Sequence, residues 1–420
     1  MTAAPVERSL RIRSGRGEAC DALRGRDMLC FSHDWSGDPL SKTHLMRLLA
    51  RENRVLWVNS IGYRAPTASR RDLSRAIRKV MDAASPLREV EPNLHVLSPL
   101  VIPAYGHPWV REFNRWFLRQ QVRRAMRRLG FANPVNWVFN PAASLIAGSL
   151  DEELLVYYCV DEYAAFSGVP AEELATLERE LLQRADLTIV SSERLLLSKA
   201  PLARRAALVR HGVDWRHFRG GLDGGQVPAA LAAIDGPILG YFGLIAQDWV
   251  DTELIAHVAR SMPEVSIAML GKITMDVAAL RRLPNVHLLG RQPYADLPAF
   301  CRGFEVGLIP FPINGATLHA NPLKVREYLA AGLPVISTPI PEVEVLGSCR
   351  IGRDRGGFVD AIRAALDERR VDRERGGAIA QARSDAMRTE SWEARLEEIR
   401  GHVADMVSAR PDDAVQRRVA

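Results

Sequence analysis

The sequence predicts an α/β protein built from two Rossmann-like domains facing across a cleft, with a C-terminal helix returning to a domain surface. Three observations lead there. Short β-branched or aromatic runs alternate with longer helical patterns from about residue 27 to residue 350, the signature of a parallel sheet covered by helices. The alternation breaks once, after Asp214, in the Gly-rich stretch W-R-H-F-R-G-G-L-D-G-G-Q, and then resumes. A length of 420 residues, at roughly 150 per domain, accommodates two domains with cores of ordinary size.

In order along the chain, residues 1–26 read as an extension. Strands of the first domain are expected at 28–32, 55–59, 94–98, 136–139, 154–160, 187–191 and 207–210. Most are nearly continuous apolar runs, as in a sheet buried on both faces. The first domain spans 27–214, a linker 215–235, and the second domain 236–388, with strands at 238–243, 265–270, 286–289, 306–309 and 334–338. Residues 389–420 form a helix and tail. Trp392, Leu396, Ile399, Val403 and Met406 are spaced by four and three in turn, so they share one helical face.

Composition narrows the function classes. With 47% hydrophobic and 25% charged residues, 30 Gly and 25 Pro, the chain is neither disordered nor collagenous nor a coiled coil. Five cysteines form no C-x-x-C pair, which argues against a zinc site and for a reducing compartment. The N-terminus lacks a signal-peptide apolar run and no stretch reaches the roughly 18 apolar residues of a span, so a cytoplasmic protein is expected. The whole net charge of +6 lies in residues 101–130, which carry seven arginines and one acid, Glu112.

Arg111, Arg115, Arg119, Arg123 and Arg127 recur every four residues on a helix whose other end carries Trp109, Phe113, Trp116 and Phe117. Arginine beside interfacial aromatics suits an anionic membrane surface, so peripheral attachment through Arg111, Arg115, Trp116, Arg119, Arg123 and Arg127 is expected. A solvated arginine face on a packed helix is the structural alternative. No nucleic-acid module accompanies the patch, and none is expected as a partner.

The sharpest segment for chemistry is Asn321-Pro-Leu-Lys-Val-Arg-Glu327-Tyr-Leu-Ala-Ala-Gly332-Leu-Pro-Val335. Asn321 reads as an N-cap with Pro322 at the first helical position and Gly332 at the stop. The free amides of Leu323 and Lys324, the positive end of the helix dipole and the Lys324 ammonium suit a pyrophosphate. Glu327, one turn on, could accept two hydrogen bonds from ribose hydroxyls. On spacing alone the segment reads equally well as an amphipathic helix with a solvated Lys and Glu.

This segment resembles the donor-binding helix of GT-B glycosyltransferases, especially the retaining family 4 group and related enzymes of bacterial exopolysaccharide synthesis. H-G-V-D at 211–214, G-Y-F-G-L-I-A at 240–246, D-L-T-I-V-S-S at 186–192 and N-V-H-L-L-G-R at 285–291 agree with it, and the resemblance covers roughly residues 27–400. It implies transfer of a sugar from a nucleoside-diphosphate sugar to a glycan or lipid-linked acceptor, with retention, without metal or other cofactor, at the inner face of the membrane. It further implies a pair of glutamates separated by seven residues. Glu327 matches the second, which contacts ribose, whereas the first, which contacts the sugar, is replaced by His319, a candidate catalytic residue that can hydrogen-bond a sugar hydroxyl but cannot supply a carboxylate's charge. The basic residues that many members carry after the first strand of the second domain are missing from the loop beginning at Gly243, leaving Lys324, Lys272 and Arg291 as phosphate cations. By the same resemblance Arg291 and Tyr294 flank the base.

The first domain should hold the acceptor. Its first strand ends in Ser32-His33-Asp34-Trp35-Ser36-Gly37-Asp38, a loop aimed at the cleft that, by the resemblance, meets the donor phosphates or sugar through His33, Trp35, Ser36 and Gly37. Asp161 follows a strand directly, where an acid could orient or deprotonate an acceptor hydroxyl; capping the next helix is its other reading. A GT-B sugar-nucleotide epimerase and a non-catalytic membrane-associated scaffold share these features and are the rival readings.

Overall fold

The computed structural model describes residues 22–60, 87–102 and 108–408. The expected N-terminal extension and the end of the tail lie almost wholly outside these residues. Two sheets form. The first comprises β1 (Asp27–Phe31), β2 (Arg54–Val58), β3 (Leu87–Glu91), β4 (Leu94–Leu97), β5 (Val135–Val138), β6 (Leu154–Cys159), β7 (Leu187–Val190) and β8 (Ala206–Leu208), in the order β3-β4-β2-β1-β5-β6-β7-β8. The second comprises β9 (Ile238–Phe242), β10 (Ser266–Leu270), β11 (Val286–Gly290), β12 (Val306–Ile309), β13 (Val335–Ser337) and β14 (Arg350–Ile351), in the order β11-β10-β9-β12-β13-β14. Each order reverses beside its first strand. At such a reversal the flanking crossovers run to opposite sides and leave a crevice beyond the carboxyl ends.

Every described strand pair is parallel except β3 with β4, a hairpin at the sheet edge. The expected strands appear within a residue or two of their predicted bounds. β3 was not expected: L-R-E-V-E carries three charges in five residues and is held as an edge by pairing with β4. β14 is two residues long, too short for any periodicity.

Four helices flank the cleft or tie the domains together: α1 (Ser41–Ala50), α2 (Pro108–Leu129), α3 (Leu323–Ala330) and α4 (Trp392–Ser408). The stretch read as a linker is packed onto the second domain, where Phe218 and Leu231 are buried in its core. The chain crosses back to the first domain at α4, whose Trp392, Leu396, Ile399, Val403 and Met406 join the core built on β1 and α1. The two crossings touch. Val213 N–H donates to Glu390 O, Trp392 N–H donates to Val213 O, and a Cβ on Gly212 would lie 2.8 Å from Trp392 N. Glycine is therefore required where the two connections pass.

Candidate active site

A cavity of about 580 Å³ lies between the domains, at the carboxyl ends of both sheets. The opening turn of α3 faces it, with Asn321, Pro322, Leu323, Lys324 and Glu327 in its wall. Asn321 is not the N-cap. The helix begins at Leu323 after an extended Pro322, and Asn321 is a buried staple between domains. Its Nδ2 donates to Ser191 O at 2.7 Å, its Oδ1 accepts from Arg326 Nη1 at 2.8 Å, and its carbonyl bonds His211 Nδ1 at 2.8 Å. All its polar groups but the amide are thus spent inside the protein. The amides of Leu323 and Lys324 take no acceptor among the described residues.

Gly243 makes room for Lys324, and Gly271 makes room for Gly243. Gly243, at φ +129°, would place a Cβ 2.5 Å from Lys324 Cε, and Gly271, at φ +156°, would place one 1.7 Å from Gly243 O. No side chain is tolerated at either position. The Lys324 ammonium sits 3.5 Å from Tyr241 Oη and 5.0 and 5.1 Å from the Tyr241 and Phe311 ring centroids, contacts that partly offset lost hydration. Burial pushes it down to about 8, with Glu327 holding it up; burial likewise pushes the Glu327 carboxyl up to about 8 against the pull of Lys324.

The other expected second-domain residues divide. Lys272 is exposed at the cavity wall. Arg291 pairs with Asp38 of the first domain at 2.6 Å. It bridges the rim, and its guanidinium is already engaged. Tyr294 lines the cavity, but one ring face stacks on His217 with centroids 4.8 Å apart, and Phe218 and His44 close in at 5.6 Å. That packing occupies one face of the ring, which still lines the cavity. His319 lies outside the cavity wall, its Nδ1 bonded to Gly315 O at 2.7 Å and its carbonyl accepting from Ser192 Oγ.

In the first-domain wall, His33 and Gly37 line the cavity while Trp35 and Ser36 do not. Trp35 packs edge-on against Trp57 with Arg47 over its ring, and Ser36 is exposed at the turn. His33 bonds Ser32 Oγ at 3.1 Å, and burial together with the Lys42 charge pushes it down to about 3, so it stays neutral. Asp161 faces the cavity, half-buried. The next helical turn starts at Tyr163 and has no side-chain cap, which removes the capping reading. Burial raises the Asp161 carboxyl to about 6, opposed by Lys42.

Two residues were missed. Lys42, in the first turn of α1, lines the cavity; burial lowers it and Asp161 raises it, yet no ion pair joins them directly. S-K-T-H reads as an ordinary helix start, so nothing local marks it. His211 was seen only as part of H-G-V-D. It is buried, and because its Nδ1 donates to a carbonyl, Nε2 is left as an acceptor with no partner among the described residues. Burial pushes it down to about 3.

This geometry has relatives. Sucrose-phosphate synthase from Thermosynechococcus elongatus superposes with a TM-score of 0.66 at 16% identity, covering 91% of this chain and 100% of that one. Anabaena HepE in complex with UDP and glucose gives 0.61 at 13% identity, covering 90% and 99%. The chain has the glycosyltransferase GT-B fold. Residues 236–368 match the family model described as Glycosyl transferases group 1, so the second GT-B domain carries the family resemblance. A putative teichuronic acid biosynthesis glycosyltransferase, TuaH of Bacillus subtilis strain 168, is 27% identical over 223 residues, 49% of this chain and 55% of that protein. The chain thus matches about half the length of that curated relative.

Proposed function

We propose that this GT-B protein is a glycosyltransferase of cell-envelope polysaccharide synthesis, moving a sugar from a nucleoside-diphosphate sugar to a glycan or lipid-linked acceptor at the inner face of the membrane. One observation carries the reading: the α3 amides that take no acceptor among the described residues and the half-buried Lys324 ammonium converge on one end of the interdomain cavity. The bound UDP of HepE and the polysaccharide pathway named for TuaH support it.

Negative charge builds on the departing diphosphate as the glycosidic bond breaks, so a fixed positive environment lowers the barrier. In the proposal the Leu323 and Lys324 amides and the Lys324 Nζ provide it, with Lys272 at the open side, and no metal is required. Glu327 binds ribose hydroxyls. Asp161, on the opposite wall, orients the acceptor hydroxyl, while neutral His33 and His211 offer hydrogen-bonding positions to uncharged sugar groups. Retention of anomeric configuration is part of the proposal.

A transfer assay with UDP-, GDP- and dTDP-sugars and membrane lipid extract as acceptor source tests it. The expected result is a glycosylated lipid or glycan, formed equally in the presence of EDTA and with the donor's anomeric configuration. Donor conversion without acceptor would indicate an epimerase instead. Donor binding without any product would indicate a scaffold.

A further inference from the structure

The basic helix α2 does not present its arginines as one stripe. Arg115 Nε donates to Leu145 O at 2.9 Å, and Arg123 Nη2 reaches Ser149 O and Asp151 at 3.1 and 2.9 Å. Both guanidinium groups are committed to the protein. Arg111, Arg124, Arg127 and Arg128 are exposed without such a tie among the described residues, and Arg115 is exposed despite its own. The buried face of α2, with Leu118, Val122, Ala125 and Met126, packs into the first-domain core, so the aromatic residues on the other side are a second apolar face without a place in that core.

Topology locates this face. α2 connects β4 to β5, and both strands run parallel with β1 through the sheet. The helix must therefore run from the carboxyl edge back to the amino edge, which puts its N-terminal end at the edge where the cleft opens. Arg115 fixes this, since Leu145 ends the 3-10 turn that follows β5. The chain leaving β4 runs alongside in the opposite sense. Both backbone polar groups of Leu100 bond the Gln121 amide, and both of Ile102 bond the Asn114 amide, all at 2.8 Å. This double clasp satisfies the strap's backbone and leaves the Leu100 and Ile102 side chains 39% and 38% exposed. Beside them on the helix, Phe113 and Trp116 are 40% and 57% exposed with rings 5.8 Å apart, and Trp109 is 67% exposed.

We propose that this aromatic end of α2, with the Leu100–Ile102 strap, is a docking surface for an anionic lipid bilayer that turns the mouth of the cleft toward the membrane. Trp109, Phe113, Trp116, Leu100 and Ile102 enter the interfacial layer, and Arg111 with the exposed arginines of α2 meets lipid phosphates. Tryptophan is suited to that layer because its ring is apolar and its N–H remains near water. Charge favours this occupant over a second copy of the chain: the segment 101–130 carries all of the net +6, and a twofold contact through it would bring two positive segments together. The orientation rests on the proposed function only in that the acceptor is membrane-borne. Docking itself does not depend on it.

Flotation of the full chain with phosphatidylcholine vesicles, with and without phosphatidylglycerol, tests the surface without any sugar donor. The wild type is expected to float with the anionic vesicles and only weakly with the neutral ones. A Phe113→Gln, Trp116→Gln double variant should lose at least about tenfold in partitioning at low and high salt alike. An Arg127→Gln, Arg128→Gln variant, changed at the far end of the helix, should lose less, and only at low salt. Thermal unfolding controls for folding, which these exposed positions should leave unchanged. The proposal is overturned if the aromatic variant floats like the wild type, if the arginine variant loses more, or if the wild type binds neither vesicle. Self-association that the aromatic variant abolishes, seen in place of flotation, would assign the surface to a second copy and also overturn it. Loss of flotation with transfer intact on a soluble acceptor would leave the cleft reading standing; flotation without transfer would leave the docking surface standing.

Discussion

The two walls of the cleft are built differently. In the second domain the site is made by backbone: glycines at positive φ bring β9, β10 and Lys324 within contact, and α3 turns its first amides into the cavity. In the first domain it is made by half-buried titratable side chains, Asp161, Lys42 and His33, set on loops and a helix start. The first design is rigid and, in the proposed function, would fix where a diphosphate sits. The second shifts protonation through burial, and in the proposed function it is the acceptor's wall.

This contrast can be broken most severely at Gly271. Gly271→Ala drives a Cβ into Gly243 O, so the backbone must move; a loss of more than about 3 kcal/mol is expected in denaturant unfolding, with donor binding abolished. On the opposite wall the sign reverses. The folded Asp161 carboxyl titrates at about 6 instead of 3.8, so the unfolded chain ionises first and stability falls as pH rises between those values. Asp161→Asn should therefore raise stability at pH 7 by up to about 2 kcal/mol relative to the wild type, and flatten that slope, while lowering transfer.

A smaller effect sharpens the role of Lys324. Burial pushes its ammonium from 10.5 down to about 8. Because a diphosphate needs the charged form, affinity should decline as pH rises through about 8, by up to tenfold per unit. Lys324→Met should bind more weakly at neutral pH and lack this decline; an equal slope in both proteins would remove Lys324 from the diphosphate site. The rim contact joining the walls should matter least. Arg291 and Asp38 are more than half exposed, so Asp38→Asn should alter donor affinity by less than about 1 kcal/mol, measured by calorimetry.

Much of the second domain was legible because its constraints are local. N-P-L-K and G-Y-F-G carry the helix start and the tight turn within a few residues, and parallel strands announce themselves as apolar runs. What was not legible depends on partners distant in sequence. Asn321 looks like an N-cap until Ser191, 130 positions earlier, claims its amide. The stacking of Tyr294 on His217, 77 positions earlier, likewise has no local signal. The arginine periodicity on α2 is real, but Leu145, Ser149 and Asp151 tie two of its guanidinium groups to the protein. Lys42 had no signal, since its meaning comes from Asp161 across a fold that only the assembled sheet creates.

The most direct measurement is a calorimetric titration of UDP, GDP and dTDP, each beside its monophosphate, into the wild type and Lys324→Ala. The preferred diphosphate is expected to bind the wild type at least about tenfold more tightly than its monophosphate, a difference of about 1.4 kcal/mol, and Lys324→Ala to erase the gap. Equal affinities for diphosphate and monophosphate in the wild type, or an undiminished gap in the variant, would contradict a diphosphate site at Lys324.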